Sequence, residues 1–144
     1  MRLWHYQLIP YLPKSQLLAQ WRELNSIFKK QPKHILINYI YEYPKKDLYY
    51  YSILVIGEMI KRSYAIHNLE NMQQYFNLDD AVMYLGIPNA DKFTLETTIF
   101  KNHHNFKYLQ QCFYNLEEKY DRGQADFSQE QYEALSNIFY KIPF

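Results

Sequence analysis

Glu23 is the residue of this chain most open to chemistry. It stands in Gln20-Trp21-Arg22-Glu23-Leu24, where Leu17, Trp21, Leu24 and Phe28 recur at i, i+4, i+7 and i+11. That spacing predicts one helix with a single apolar seam. Glu23 falls off the seam, on a flank shared with Gln16 and Gln20. Its neighbours at three and four residues are Ala19, Gln20, Ser26 and Ile27, none of them basic, so no local ion pair neutralises it. Glu58 has Arg62 four residues on and reads as structural by contrast. A helix carboxylate without a local partner is suited to moving protons, or to plain solvation. Arg2, Arg22, Lys29, Lys30, Lys33 and His34 make a basic cluster around it that can hold phosphates without reading sequence. Trp4, Tyr6 and Trp21 are candidates to stack on an exposed base. Each charge alone is at home as surface solvation; the clustering is the signal.

His103-His104, followed by Asn105, is the other group with chemical potential. Adjacent histidines on a helix point apart, and the chain has no His-Glu-x-x-His pattern, so the favoured reading is a helix-start pair near phosphate or solvent rather than a metal site. Asp79-Asp80 reads as helix-start acids complementing a dipole. Cys112 is the single cysteine, which excludes an internal disulfide and a cysteine-based zinc site. No metal and no cofactor are called for.

The elements that must position these residues follow from pattern. At 144 residues and 48% hydrophobic, with 3 Gly and 6 Pro, the chain suits one compact domain over 1–144 with short connections. Residues 1–13, with Pro10 and Pro13, read as an extended arm leading into the first helix, which Pro32 ends. Lys33 to Tyr43 fits helix or strand, with helix preferred. Asp47 is a candidate cap for an apolar helix over Leu48 to Tyr64. Asn68 to Phe76 and Asp79 to Leu85 read as short helices, and 87–102 as irregular. Asn105 to Tyr120 carries the seam Phe106, Leu109, Cys112, Phe113, Leu116 and Tyr120, with Gly123 as its C-terminal stop. Ser128 and Gln131 make a capping box, and Phe127 and Tyr132 a hydrophobic staple, for a last helix reaching about Tyr140. The expectation is an all-α domain of about five to seven helices with an extended N-terminal arm.

Charge is polarised along the chain. Residues 1–62 hold ten Lys and Arg against four Asp and Glu, and residues 63–144 hold six against eleven. Such a gradient can orient a polyanion, although the near-neutral total speaks weakly against nucleic-acid binding. Aromatic content is 19%, with tyrosine dominant, which suits half-buried surfaces as well as core. No apolar run is long enough for a signal peptide or a membrane span, so the expectation is a cytoplasmic protein without a membrane partner.

Taken together, Leu17, Ala19, Trp21, Arg22-Glu23-Leu24, Phe28 and Lys33-His34 resemble the pyrimidine-dimer DNA glycosylase family, the endonuclease V type. The helix Ile53-Leu54-Val55-Ile56-Gly57-Glu58-Met59-Ile60-Lys61-Arg62 is similar to the family's apolar helix ending in Lys-Arg. The opening Met1-Arg2-Leu3-Trp4-His5-Tyr6, with Leu8-Ile9-Pro10-Tyr11-Leu12-Pro13, resembles its bacterial branch. Coverage is good over about the first 64 residues; beyond them, only His104-Asn105 and the helix that follows echo the family.

The resemblance implies a DNA repair enzyme, a glycosylase and abasic-site lyase of base excision repair, acting on damaged double-stranded DNA. Its nucleophile would be an N-terminal α-amine attacking C1′ to form an imine, with a glutamate matching Glu23 shuttling protons for β-elimination. An α-amine titrates at about 7.7–8.0, so a useful fraction is neutral at pH 7. Residue 2 is Arg, where the family's phage member exposes Thr after losing its initiator Met. Either Met1 itself supplies the amine, with Arg2 in the place of the family's adjacent Arg, or the amine chemistry is absent. Shifting the start by one residue aligns Arg with Arg and favours the first. The competing expectation is a catalytically inactive helical nucleic-acid-binding or scaffold protein of the same fold. A metal-dependent nuclease built on His103 and His104 ranks last. Lesion preference, protein partners and oligomeric state are not legible in the sequence.

Overall fold

The computed structural model describes residues 1–78 and 98–141. Among these the fold is all-α, as expected: five α-helices and two 3-10 segments, without strands. The short helix expected at Asp79 to Leu85, the Asp79-Asp80 reading and most of the irregular stretch 87–102 lie outside the described residues.

Helix α1 (Lys14–Lys30) starts after Pro13, whose ring pre-sets the turn, and ends where Gln31 enters the left-handed region at φ 46°, just before Pro32. Its seam Leu17, Trp21, Leu24 and Phe28 is buried. Helix α2 (Lys45–Lys61) is buried on most of its circumference, from Leu48 through Tyr51 to Met59. Helix α3 (Leu69–Phe76) follows a short connector. The first half packs around α1, which contacts both α2 and α3. Phe28 closes the α1–α3 joint with its ring centroid 5.5 Å from those of Tyr75 and Phe76.

Helices α4 (Phe106–Asp121) and α5 (Gln129–Lys141) form an antiparallel pair joined by a tight loop. Gly123 takes φ 82° one residue past the α4 cap, a conformation that costs glycine little. The capping box forms as its sequence requires: the Gln131 N–H donates to Ser128 Oγ at 3.2 Å, and the Ser128 N–H donates to Gln131 Oε1 at 2.9 Å. The staple rings of Phe127 and Tyr132 lie 6.4 Å apart. Phe113 stacks flat on Phe139 at 4.2 Å, and Tyr120 on Tyr132 at 4.3 Å.

The N-terminal segment is not the extended arm expected over residues 1–13. Leu3, Trp4, His5, Tyr6, Leu8, Ile9 and Leu12 are buried, and Tyr6–Tyr11 winds into a 3-10 helix against α2 and α5. Arg62, paired with Glu58 at 2.9 Å, donates to the carbonyls of Leu12 and Pro10 at 2.8 and 3.0 Å and so clamps the segment to the end of α2. Two local expectations need correction. Lys33 to Tyr43 forms a hydrogen-bonded turn and a 3-10 helix (Asn38–Glu42) instead of the preferred α-helix, in keeping with its β-branched and aromatic run of Ile35, Ile37, Tyr39, Ile40 and Tyr41, which are weaker helix formers. Asp47 does not cap α2; its Oδ2 accepts the Phe100 N–H at 2.9 Å and holds the loop before α4, where Phe100 itself sits at φ 54°.

Candidate active site

Glu23 and the chain start meet in an open cleft of about 290 Å³. Met1, Arg2, Gln20 and Glu23 line one side of it, Leu36 another, and Asn115 and Lys119 of α4 complete the wall. Glu23 is half-buried, and that burial raises its carboxyl above the ordinary carboxylate range. The positive charge of the α-amine, the Arg2 backbone N–H, Arg22 and the Gln20 amide all pull it back without cancelling the rise. The carboxylate therefore faces an amine and a set of donors rather than a salt-bridging side chain.

Gln20 is the residue that sequence reasoning passed over. It is 1% exposed and uses both ends of its amide. Oε1 accepts from the Trp4 N–H and the Tyr51 hydroxyl, each at 2.9 Å, while Nε2 donates to the Arg2 carbonyl and to Glu23 Oε2, each at 3.1 Å. The single Tyr51 hydroxyl proton is shared between Gln20 Oε1 and the Trp4 carbonyl, the latter at 2.6 Å. One side chain thus fixes the backbone on both sides of Leu3 and aims the Glu23 carboxylate. The single available signal was its shared helix flank with Glu23.

The aromatic residues picked out as base platforms are packed inside: Trp4, Tyr6 and Trp21 are 7%, 8% and 5% exposed. Trp21 Nε1 donates to the His67 carbonyl at 2.9 Å, and Tyr6 clusters with the rings of His5 and His104, at 4.9 and 6.0 Å. Their rings pack largely in the core, with Trp4 also lining the Glu23 cleft and Trp21 the cleft beside Arg22 and Lys29. Arg2 likewise turns over the Trp4 and Tyr108 rings, at 6.0 and 5.7 Å, instead of reaching into solvent.

Arg22, Lys29, Lys30, Lys33 and His34 are exposed. Arg22, Lys29 and Lys30 border a larger cleft of about 760 Å³ between α1 and the connector into α3, with Asn25, His67 and Asn71 on its floor and far side. The cations therefore flank α1 beside the Glu23 cleft, and both openings share that helix as a wall.

His103 and His104 separate, as adjacent residues must. His103 is exposed, stacks on Tyr39 at 4.6 Å and shares a 2.7 Å hydrogen bond with the Tyr43 hydroxyl. His104 is 4% exposed, so the solvent-facing pair expected from sequence holds only for its neighbour. Its Nδ1 accepts the Tyr6 N–H at 3.2 Å, which leaves Nε2–H to donate to the Tyr39 hydroxyl at 2.7 Å. His5 accepts the Gln7 N–H on Nδ1 at 3.2 Å and donates from Nε2 to the His104 carbonyl at 2.9 Å. Burial depresses both imidazoles, His5 to about 4, so they are neutral at pH 7. Tyr108 donates to the Leu3 carbonyl and completes this buried network under the N-terminal segment. Asn105 is the α4 N-cap, accepting the Tyr108 N–H at 3.0 Å. Among the described residues no three His, Cys, Asp or Glu are grouped to hold a metal ion, and no helix is long and apolar enough to cross a membrane.

Fold and cleft define a helical protein in which the chain start and a half-buried helix carboxylate face one another beside a row of exposed cations. The family model for pyrimidine dimer DNA glycosylases matches residues 1–72, half of the chain, and the chain belongs to that family. Membership implies a DNA glycosylase with DNA as its substrate. No curated protein and no solved structure matches the chain. The matched span holds Met1, Gln20, Glu23 and the basic cluster, whereas His104, Asn115 and Lys119 lie beyond it.

Proposed function

We propose that this protein is a DNA glycosylase and abasic-site lyase acting on damaged duplex DNA, with the α-amine of Met1 as nucleophile and Glu23 as the proton carrier. The observation that carries this reading is that Met1 and the raised, half-buried carboxyl of Glu23 share one open cleft. The neutral amine donates its lone pair to C1′ of the damaged nucleotide. The C1′–N glycosidic bond breaks, and its electron pair leaves with the base, which takes up a proton. Loss of an amine proton and opening of the sugar ring, with O4′ protonated by Glu23, give the cationic imine. Glu23, now ionised, removes a C2′ proton. That electron pair moves into the sugar, the C3′–O bond breaks, and the phosphate departs with its electrons, cutting the strand 3′ to the lesion. Water then hydrolyses the imine and returns the amine. Raised by burial, Glu23 is suited to holding a proton in one step and giving it up in the next. Arg22, Lys29, Lys30 and Lys33 hold the flanking phosphates, and the target nucleotide leaves the stack so that C1′ can be reached.

The test is borohydride trapping on an abasic-site duplex and on a dimer-containing duplex. A covalent adduct mapping to residue 1 is expected, and an adduct elsewhere overturns the assignment of Met1. Glu23→Gln is expected to fold normally and lose strand cleavage; retained cleavage removes Glu23 from the reaction. Binding without adduct or cleavage on either duplex would instead identify an inactive member of the fold.

A further inference from the structure

Lys33-His34-Ile35-Leu36-Ile37 forms a tight turn whose backbone is closed from within. The His34 carbonyl accepts the N–H groups of Ile37 and Asn38, both at 2.9 Å. The Leu36 N–H donates to His34 Nδ1 at 3.1 Å, and the His34 N–H donates to Asn38 Oδ1 at 2.7 Å. Ile37 is fully buried beneath the turn and anchors it, and the Tyr41 hydroxyl ties down Pro32 at 2.7 Å. A turn held this firmly still presents Ile35 at 85% exposure and Leu36 at 41%. Exposed apolar side chains on a rigid tip are costly in water and gain by entering something apolar.

What they enter follows from their surroundings. Leu36 lines the cleft of Met1 and Glu23, so the tip stands beside the place where a nucleotide would react. Lys33 adjoins the tip, Lys29 and Lys30 close the preceding helix, and all three are exposed. An apolar point within a cationic collar complements a polyanion with a stacked apolar interior, which is duplex nucleic acid. We propose that Ile35 and Leu36 form a wedge that enters the base stack at the step beside the lesion, on the reading of the cleft given above. Aliphatic side chains inserted at a step unstack and kink the duplex, and here that would hand the target C1′ to the cleft while Leu36 fills the gap left behind. His34 is then a positioning residue for the tip, its Nδ1 occupied by the Leu36 N–H.

The experiment compares wild type, the double variant Ile35→Ser/Leu36→Ser and the conservative Ile35→Leu on three DNAs. These are a duplex with a tetrahydrofuran abasic analogue next to 2-aminopurine, a duplex with a true abasic site, and its single strand. Wild type is expected to brighten 2-aminopurine on binding. The double variant should keep its melting temperature and salt slope, lose most of that signal, and cut the abasic duplex about tenfold more slowly. Its cutting of the single strand, which has no stack to open, should fall much less than its cutting of the duplex, and Ile35→Leu should behave as wild type on all three. A double variant that unstacks and cuts the duplex like wild type overturns the wedge. So does one that loses duplex and single-strand cutting equally, because the tip then serves the chemistry or a different partner. Wild-type protein that brightens 2-aminopurine without cutting leaves the wedge standing and removes the lyase reading; protein that does neither removes both.

Discussion

Replacing Gln20 by glutamate keeps the side chain's shape and reverses half of its hydrogen bonding. The end that accepts from the Trp4 N–H and the Tyr51 hydroxyl is unchanged, but the end facing the Arg2 carbonyl and Glu23 Oε2 at 3.1 Å becomes an oxygen facing two oxygens. One broken contact orients a part-buried carbonyl, and the other sets two carboxyls against each other. At about 1–2 kcal/mol each, the loss of folding stability is about 2–4 kcal/mol, or about 5–15 °C in melting temperature for a chain of this size. The second carboxyl also disfavours ionisation of Glu23, whose carboxyl burial already raises. Glu23 must be ionised to remove the C2′ proton, so the acid limb of the rate profile on a preformed abasic duplex moves to higher pH. Adding Glu23→Gln to Gln20→Glu replaces the opposed oxygens with a donor and an acceptor. The double variant should therefore recover at least about 1 kcal/mol relative to additivity. A Gln20→Glu protein that melts with wild type and has the same acid limb would refute the idea that this amide sets the carboxylate.

Two further outcomes are expected. Neutralising Arg22 or Lys33 should weaken binding to every DNA sequence alike and lower the log–log salt slope by about one per residue; an unchanged slope in a salt titration takes that residue out of the interface. His5 titrates near 6.5 when exposed and about 4 in the fold, so the unfolded chain takes up the proton first. Its stabilising share is complete above about pH 6.5 and is lost as pH falls towards 4, a total of about 3 kcal/mol, with His104 adding in the same direction. Urea midpoints should trace that decline, and a His5→Gln variant should flatten it. A flat wild-type curve over this window would mean that the buried imidazoles are not neutral.

Legibility in the sequence divided by distance along the chain. The α1 and α4 seams, the Glu58–Arg62 pair and the Ser128–Gln131 box each depend on residues three to eleven apart, and periodicity or cap chemistry specifies them directly. Gln20 binds partners 16, 18 and 31 residues away besides Glu23, and His104 binds Tyr6 and His5 across 98 and 99 residues. No local pattern encodes such pairs. Residue type misled where it leaves the direction of a side chain open: an indole beside a basic cluster suits a core as well as a base, and Trp4 and Trp21 went to the core. That Glu23 has no basic partner three or four residues away was legible from residue types, whereas the hold that Gln20 takes on it was not.

The buried network beneath the first residues also sets an order of events. Tyr6 N–H, the Leu3 carbonyl and the His5 ring are satisfied by His104 and Tyr108, which leave the ribosome about a hundred residues after them. Until α4 is made, Gln20, Tyr51 and Arg62 can hold the opening segment, but the Tyr6 N–H and the Leu3 carbonyl lack their native partners. The Asn115 and Lys119 side of the cleft is thus added about ninety residues after Glu23 is made. A fragment limited to the 72 residues that carry the family's pattern would hold Met1, Gln20 and Glu23 and yet lack the α4 wall of the cleft, Asn115 and Lys119.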